Sequence, residues 1–573
     1  MTTLDLGRLQ YWARTFVIAI ACCCIAFGNA QAQIPDPVFV HDADLSDNDR
    51  HVPSVFPQAN QPADDLFVFD ARRLPRHTQA FVASIQGLAN RQQPELYLIL
   101  SGNRIRPFDP ARPRRDSIDR VWLDWLSSNE YVKSSPRIES VEALIEKYVS
   151  GGVVVVDPSL PASLNVATMI SAVQGIPLAF PEDVERFQLK VAEDTRGRWS
   201  TNIEAYKWAW ENLWPQMNHA AIAILSPRFH GHLRDYLVQQ KIFTFWISHP
   251  DYRDAATGED DLAEIKRLLL KMPVNIPVFG YPNAGGEDTG IGEGLGVKLL
   301  SDHGKFLVPT DWHTNLSIWT GWKSKAETLK QPSRPKLKYD PNKRYLCLLV
   351  SDGDNMNLWL DFLPTERNWR SPLRGSLPIA WTMGPAMLQL HGPLLDYYYG
   401  SLTPNDSFGC AVSGLGYMYP LHYGEAYGKH QAEILQRYLA LTNQFNKGLD
   451  LTWYWGTIIG ERGGEQFAAV AEELDGMTCL LEGYGRQWWR DEPYLTDGIP
   501  TFHFLNDAVS AEQTVAQVRR NLRRRNPQFG VVFIQNWEFD FDEIKELTEQ
   551  IEGDIQWVLP EQLADLYLQS KAE

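Results

Sequence analysis

Residues 408–420 have the sequence FGCAVSGLGYMYP. The apolar run 408–412 predicts a buried strand. Gly414 and Gly416 then predict a turn, because glycine allows positive φ and the close approach of another group to the backbone. Tyr417 and Tyr419 follow directly, before a proline that ends regular structure. In α/β enzymes such a strand and glycine turn present side chains to a ligand, although a tight turn with packed tyrosines is the alternative.

The same turn resembles a known family signature. Residues 414–420, GLGYMYP, are similar to the motif of the GxGYxYP family of putative glycoside hydrolases. Residues 86–91, QGLANR, with Pro94 resemble the family's N-terminal portion, and residues 351–355, SDGDN, resemble its catalytic portion. The resemblance covers most of the chain and implies an enzyme that hydrolyses glycosidic bonds.

Length and charge narrow the class of protein. A chain of 573 residues is too long for one core, so two or three domains are expected. The net charge of -17 argues against a nucleic-acid partner and against anionic membrane surfaces. The 20 Trp and 22 Tyr residues give mild support to a carbohydrate partner, because aromatic faces stack on sugars as well as filling cores.

The N-terminus has the pattern of a secretory signal. Arg8 and Arg14 precede a short apolar run, 16–27, and an A-x-A cleavage motif at 30–32. We therefore expect cleavage after Ala32 and an exported protein, periplasmic or secreted, with lipidation at Cys22 as a weaker alternative. No later run reaches the roughly 18 apolar residues of a membrane span, so membrane insertion after signal removal is not expected.

Three cysteines remain in the mature chain. They are Cys347, Cys410 and Cys479, all in apolar strand-like runs. An odd, sparse set without a C-x-x-C motif indicates buried thiols, and it argues against a disulfide framework or a zinc ribbon.

Alternating strand and helix patterns predict the domain organisation. We expect an α/β protein in which a C-terminal (β/α)8-like barrel follows one or two small open α/β domains. A glycine-dense loop at 285–296 is predicted to reach the active-site face, with a plain surface loop as the alternative. The predicted regions are a signal peptide at 1–32, an irregular arm at 33–62, an N-terminal α/β domain at 63–190, a second α/β domain at 191–322, a linker at 323–343 and the barrel at 344–573.

The barrel prediction depends on eight apolar runs separated by helical patterns, about the content of a (β/α)8 domain. A seven-stranded or distorted barrel is the main alternative, because the last run is weak. The runs begin near Tyr345, Leu377, Phe408, Leu449, Thr478, Ile499, Phe529 and Ile555.

Barrel enzymes carry their active sites at the carboxyl ends of the strands. Asp352 and Asp354 follow the first strand, and one of two such close carboxylates should keep its proton. A protonated acid beside an ionised carboxylate is what glycosidic cleavage requires. Glu482 is the favoured opposing carboxylate and Glu538 the next. The predicted substrate-binding residues are Asn355, Tyr417, Tyr419, Trp453, Trp455, Tyr484, His503, Asn536 and Trp537.

Other chemistries remain open at this stage. No cofactor or metal is expected, although oxygen ligands at Asp352 and Asp354 suit Ca²⁺ or Mg²⁺. A metal-dependent carbohydrate deacetylase, a polysaccharide lyase with Tyr417 as base, or a non-catalytic glycan-binding protein are the rival functions. The sequence has no H-x-x-x-H ligand pair, which argues against the deacetylase, and no G-x-S-x-G motif, which argues against an α/β-hydrolase.

Overall fold

The computed structural model describes residues 35–41, 52–100, 117–248, 259–285, 288–457, 464–483, 492–507, 510–536 and 539–572. The predicted signal peptide, the cleavage site at Ala32 and Cys22 lie outside these ranges. Within the described part of the chain, no helix combines the length and the apolar character that a membrane span requires.

The N-terminal region contains two small parallel sheets. The first pairs β1 with β2, and the second has the strand order β4-β3-β5. Helix α4 starts at a proline, whose fixed φ suits the first helical turn, and ends at Gly175 with φ 74°. The elements are β1 Phe67–Asp70, α1 Arg76–Ala89, β2 Leu96–Ile99, α2 Ile118–Ser128, α3 Val141–Tyr148, β3 Val153–Val155, α4 Pro161–Gln174, β4 Leu178–Ala179, α5 Pro181–Phe187 and β5 Val191–Asp194.

A third parallel sheet follows, with the order β7-β6-β8-β9. The chain crosses over through a helix between its successive strands, as parallel pairing requires. The elements are α6 Asn202–Asn212, β6 Asn218–Ile224, α7 Arg234–Gln240, β7 Ile242–Phe245, α8 Glu259–Leu269, β8 Ile276–Gly280, α9 Glu293–Asp302, β9 Lys305–Pro309 and α10 Leu316–Trp319.

The C-terminal region is built on one large curled sheet. Its parallel strands are buried along nearly their whole length, which explains their continuous apolar sequence. The elements are β10 Arg344–Val350, β11 Ile379–Met383, α11 Met387–Leu390, α12 Gly392–Gly400, β12 Asp406–Cys410, α13 Gln431–Gly448, β13 Trp453–Thr457, α14 Gly464–Glu473, β14 Cys479–Gly483, β15 Tyr494–Thr496, β16 Ile499–His503, α15 Ala511–Arg525, β17 Phe529–Ile534, α16 Phe541–Gln550, β18 Ile555–Trp557 and α17 Pro560–Ala572.

All eight predicted runs form parallel strands of this sheet, but a full (β/α)8 barrel is not confirmed. The strand order is β15-β16-β14-β13-β12-β11-β10-β17, and β15 is antiparallel. The predicted eighth strand, β18, does not lie between β17 and β10. β17 occupies one edge of β10. β18 therefore pairs with the first half of the other edge of β10, and β11 pairs with the last residues of that same edge.

The segment that follows β16 reaches β17. Phe504, just after β16, forms an isolated parallel bridge with Val531 of β17.

The three cysteines are buried free thiols, as predicted.

Candidate functional site

The turn after β10 sets the position of two aspartates. Asp352 has a left-handed φ of 77°, and Gly353 N–H donates to Thr382 Oγ1 at 2.9 Å. Gly353 lies so close to β11 that a Cβ there would be 1.5 Å from Thr382 O. The indole N–H of Trp359 donates to Gly353 O at 2.8 Å. These contacts hold Asp352 and Asp354 at the carboxyl end of the sheet.

Asp354 is the more buried of the two carboxyl groups, with 6% of its surface exposed. Burial raises its pKa well above the usual range, and the negative charges of Asp352 and Glu293 raise it further. Burial disfavours the ionised form and neighbouring like charges do the same. Asp354 is therefore suited to keep a proton at pH values where an exposed carboxylate has lost it.

Glu293, the first residue of α9, brings a third carboxylate from another region of the chain. Tyr417 Oη donates to Glu293 Oε1 at 3.1 Å. Burial raises the pKa of Tyr281. The pKa is raised further by the charge of Glu293, by a hydrogen bond between Tyr281 and Glu293, and by the charges of Asp352 and Asp354. We call the five residues Asp352, Asp354, Glu293, Tyr281 and Tyr417 the carboxylate cluster.

The glycine turn places Tyr417 by docking onto β9. Leu307 and Tyr417 exchange both backbone hydrogen bonds, at 3.0 and 2.8 Å. Gly416 permits this approach, since a Cβ there would be 2.5 Å from Leu307 O. Tyr419 packs edge-on to Tyr417 with ring centroids 5.8 Å apart, and burial raises its pKa to about 12.

Glu482 lies on β14, in register with Gly456 on one side and His503 on the other. It is almost fully buried. Tyr494 Oη donates to Glu482 Oε2 at 3.2 Å, and His503 Nδ1 is 3.2 Å from the same oxygen. Because β10 and β14 run parallel in one sheet, Glu482 and the aspartates belong to the same edge.

The remaining predicted site residues occupy different environments. Trp453, near the start of β13, is fully buried, and its indole N–H donates to Ser407 Oγ at 2.9 Å. Trp455 packs against both Phe504 and Phe533, with ring centroids 5.7 and 5.5 Å away. Asn355 lies half-buried beside Asp352, and Asn536 is buried just after β17.

Three further predicted residues, Tyr484, Trp537 and Glu538, lie outside the described residues. Asp540 and Asp542 follow them, and the sequence favours both as caps of the next helix. This is confirmed for Asp540, whose side chain accepts from Glu543 N–H while the Glu543 side chain accepts from Asp540 N–H in a capping box. Asp542 is instead the second residue of α16.

Comparison with known proteins identifies the family of this chain. Four family models match the chain: the GxGYxYP putative glycoside hydrolase C-terminal domain at 342–568, the third domain at 219–321, the first domain at 65–150 and the second domain at 150–217. The chain belongs to the GxGYxYP family. The family models thus place three domains before the C-terminal domain, where the sequence predicts one or two.

A solved structure shares the fold of this GxGYxYP protein. It is described as a crystal structure of a putative hydrolase from Bacteroides thetaiotaomicron VPI-5482, with 19% sequence identity and a TM-score of 0.74. The match covers 93% of this chain and 99% of that chain. No curated protein matches.

Sequence reasoning missed two residues of the carboxylate cluster in this GxGYxYP chain, Tyr281 and Glu293. The only signal was the glycine-dense loop, which was expected near the active-site face and which leads into α9 at Glu293. It also missed Asp311, whose pKa burial raises to about 7. Asn357 Nδ2, four residues beyond Gly353, donates to Asp311 Oδ1 at 3.1 Å.

One group of three metal-type ligands occurs among the described residues, and it does not include Asp352 or Asp354. It consists of Asp302, His422 and Glu425. Lys298 Nζ already lies 2.7 Å from Asp302 and 3.7 Å from Glu425, so a lysine charge balances the carboxylates. Asp352 and Asp354 form no such group with a third ligand in the described part of the chain.

Proposed function

We propose that this GxGYxYP protein is an exported carbohydrate-active enzyme that hydrolyses glycosidic bonds, with Asp354 as its general acid. The observation that carries the proposal is the environment of Asp354: a buried carboxyl group, beside two other carboxylates, at the carboxyl end of a parallel sheet. Membership of a family of putative glycoside hydrolases and the fold shared with a putative hydrolase support a hydrolase at a coarser level.

In the proposed reaction, Asp354 donates its proton to the glycosidic oxygen as the bond to the leaving sugar breaks. Asp352 and Glu293 contribute by their charge, which keeps the proton on Asp354 until the substrate oxygen takes it. On the other side of the sugar ring, Glu482 either takes a proton from the water that attacks the anomeric carbon, or attacks that carbon itself to form a glycosyl-enzyme that water then hydrolyses. The Tyr494 hydroxyl and the His503 imidazole hold its carboxylate in place.

The tyrosines of the family motif would hold the sugar. The hydroxyl of Tyr417 is fixed by its hydrogen bond to Glu293. The ring of Tyr419 lies edge-on to the ring of Tyr417. An aromatic face packs against the C–H face of a sugar, and a fixed hydroxyl orients its polar groups. Trp453 is too deeply buried to take part, so the proposal does not use it.

The first prediction concerns the proton of Asp354. Asp354→Asn keeps the shape of the side chain and removes its acid function, which is typically worth about 10²–10⁴ in rate. We expect kcat to fall at least a hundredfold on a glycan that the wild-type protein cleaves, identified with a panel of aryl glycosides and polysaccharides. Asp542→Asn, at an exposed carboxylate of α16, is the matched control and should keep wild-type kcat.

The pH profile adds a second readout of the same prediction. Activity that requires protonated Asp354 falls as the pH rises through the pKa of Asp354. Since the charge of Glu293 raises that pKa, Glu293→Gln should move the basic limb of the kcat profile to lower pH.

Three results would contradict the hydrolase proposal. Near-wild-type kcat in Asp354→Asn would remove this residue from the mechanism. Glycan binding without any turnover would favour a non-catalytic binding protein. Activity that a chelator abolishes would favour the metal-dependent deacetylase.

A further inference from the structure

A cleft separate from the carboxylate cluster lies where two parallel sheets bring strand ends together. Its volume is about 430 Å³, within the range of small-molecule sites. Asp157 lines it just beyond β3, Phe180 just beyond β4 and Arg228 just beyond β6. Ligands of open α/β sheets bind outside the carboxyl ends of the strands, so the cleft lies where such a fold offers a binding site.

Two guanidinium groups from distant parts of the chain converge on this cleft. Arg76 begins α1, and Arg228 follows β6. Arg228 Nη1 donates to the carbonyl oxygens of Ala284 and Gly285, which holds the guanidinium at the rim. Both side chains are exposed, and neither has a carboxylate partner within ion-pair distance in the described part of the chain. Arginine forks match carboxylate, sulfate and phosphate oxygens.

The acidic residues of the cleft do not neutralise these arginines. Asp157 uses Oδ1 to accept from the backbone N–H and the hydroxyl of Ser159, and Oδ2 to accept from Gly197 N–H at 2.8 Å. Asp288 Oδ2 accepts from the indole N–H of Trp246 at 2.9 Å. Neither carboxylate pairs with these arginines in the described part of the chain, so the guanidinium donors can bond to an anion.

The inner wall is apolar and carries one polar atom. Phe180 lies against the His230 ring, with centroids 5.5 Å apart, and Leu160 and Leu164 complete the wall. His230 Nδ1 is buried and has no hydrogen-bond partner. Burial, the first cause, and the charge of Arg234 lower the pKa of His230 to about 4, so the imidazole is neutral. The cleft thus offers an apolar face, a buried neutral imidazole and two cations at the mouth.

Two structural links join this cleft to the carboxylate cluster. The segment that supplies Gly285 and Asp288 to the cleft leads directly into α9 and Glu293. Arg228 also lies near enough to Asp311 to lower the pKa of that group, and Asp311 accepts from Asn357 of the turn after β10.

We propose that the cleft binds an anionic sugar residue, one that bears a carboxylate or a sulfate, of the saccharide on which the protein acts. The C–H face of the sugar packs on Phe180 and the leucines, and the anion bonds to Arg76 and Arg228. This inference rests on the proposed glycoside hydrolase function and narrows its substrate class to acidic glycans.

Matched glycosides test the cleft by binding alone. The probes are methyl β-D-glucuronide, methyl β-D-glucoside 6-sulfate and the neutral methyl β-D-glucoside, each titrated into the full chain and followed by ligand-observed NMR. We expect at least one anionic glycoside to bind at least tenfold more tightly than the neutral one, and the stronger of the two identifies the anion. Added salt should weaken it, because the contact is ionic.

Arginine variants locate the site. Arg76→Met, whose guanidinium has no hydrogen-bond or ion-pair partner among the described residues, and Arg228→Met should each weaken binding of the anionic glycoside at least tenfold. Arg524→Met, at an exposed arginine of α15, is the control and should bind as the wild type does. Arg76→Met keeps the test valid even if Arg228→Met disturbs the loop that it holds.

The outcomes separate this inference from the hydrolase proposal. Equal affinity for the neutral and both anionic glycosides, or unchanged binding in both arginine variants, would overturn the cleft assignment and leave the Asp354 result standing. Arginine-dependent binding in a protein whose Asp354→Asn variant keeps full activity would instead sustain the cleft and overturn the proposed acid.

Discussion

At the scale of single residues, Gly353 decides whether the two aspartates reach the site. It separates Asp352 from Asp354 and packs directly on the backbone of β11, where a Cβ would be 1.5 Å from Thr382 O. The sequence Asp-Gly-Asp-Asn also suits an ordinary turn. What distinguishes this turn is the backbone contact, because a glycine at an open turn has no such neighbour.

Gly353→Ala should therefore be destructive. The added methyl group must push the turn away from β11, and we expect a destabilisation of at least about 2 kcal/mol, at the level of overpacking in a core, with loss of activity. Gly400→Ala, at the end of α12, meets no atom within 4 Å and should leave the melting temperature unchanged or raised. Thermal unfolding of the two variants compares them, and equal melting temperatures would contradict the packing argument.

At the scale of elements, a side chain completes the contact between β16 and β17. Asn506 Nδ2 donates to Phe533 O at 2.8 Å, and Phe533 N–H donates to Asn506 Oδ1 at 2.9 Å. One buried amide thus takes the place of a strand residue and satisfies both polar groups of Phe533. This bridge holds the curled sheet together where regular pairing has ended.

Asn506→Ala should weaken the sheet at this point. Two buried backbone groups lose their partner, at about 1–3 kcal/mol each, so we expect a loss of about 2–6 kcal/mol. Chemical unfolding followed by circular dichroism measures it, with the exposed Asn342→Ala as control. A loss no larger than that of the control would show that water or a neighbouring group replaces the amide.

The strands of this sheet could be predicted from sequence, but their order could not. The first seven runs are apolar because a parallel strand buried on both faces needs apolar side chains throughout, whereas β18 is only half-buried. The position of β18 depends instead on which edge of β10 is free, and β17 occupies one edge over six residue pairs. The apolar content of a run does not show which edge of a neighbouring strand is free. The final run therefore gave no sign that β18 would pair with β10 on the same edge as β11.

At the scale of the whole molecule, the candidate site joins regions that are distant in sequence. Tyr417 and Glu293 are 124 residues apart. The motif and the SDGDN segment could be found from sequence, since each combines polar residues with the end of an apolar strand. Glu293 could not, because only the docking of the glycine turn on β9 brings α9 to the cluster. For the same reason, the burial that raises the pKa of Asp354 becomes visible only in the folded chain.

A buried histidine pair lies on another contact between the same regions. His313, just beyond β9, and His391, just before α12, have Nε2 atoms 3.0 Å apart and ring centroids 4.7 Å apart. Burial lowers the pKa of His313 to about 3, and the nearby His232 adds to this. Burial and the charge of His313 lower the pKa of His391 well below its usual range.

The pair should make the protein sensitive to acid. A histidine whose pKa is depressed in the folded state contributes its full stability above its unfolded pKa of about 6.5. As the pH falls from there toward the folded pKa, this stability is lost at about 1.4 kcal/mol per pH unit for each group. Buried Asp311, whose pKa is raised to about 7, acts in the opposite direction over the same range. We therefore expect His391→Gln to show a smaller loss of melting temperature between pH 7.5 and pH 5 than the wild type, while the exposed His219→Gln shows the wild-type loss. If both variants lose as much as the wild type, the histidine pair does not contribute to acid sensitivity, and the contact between these two regions is governed by its carboxyl groups instead.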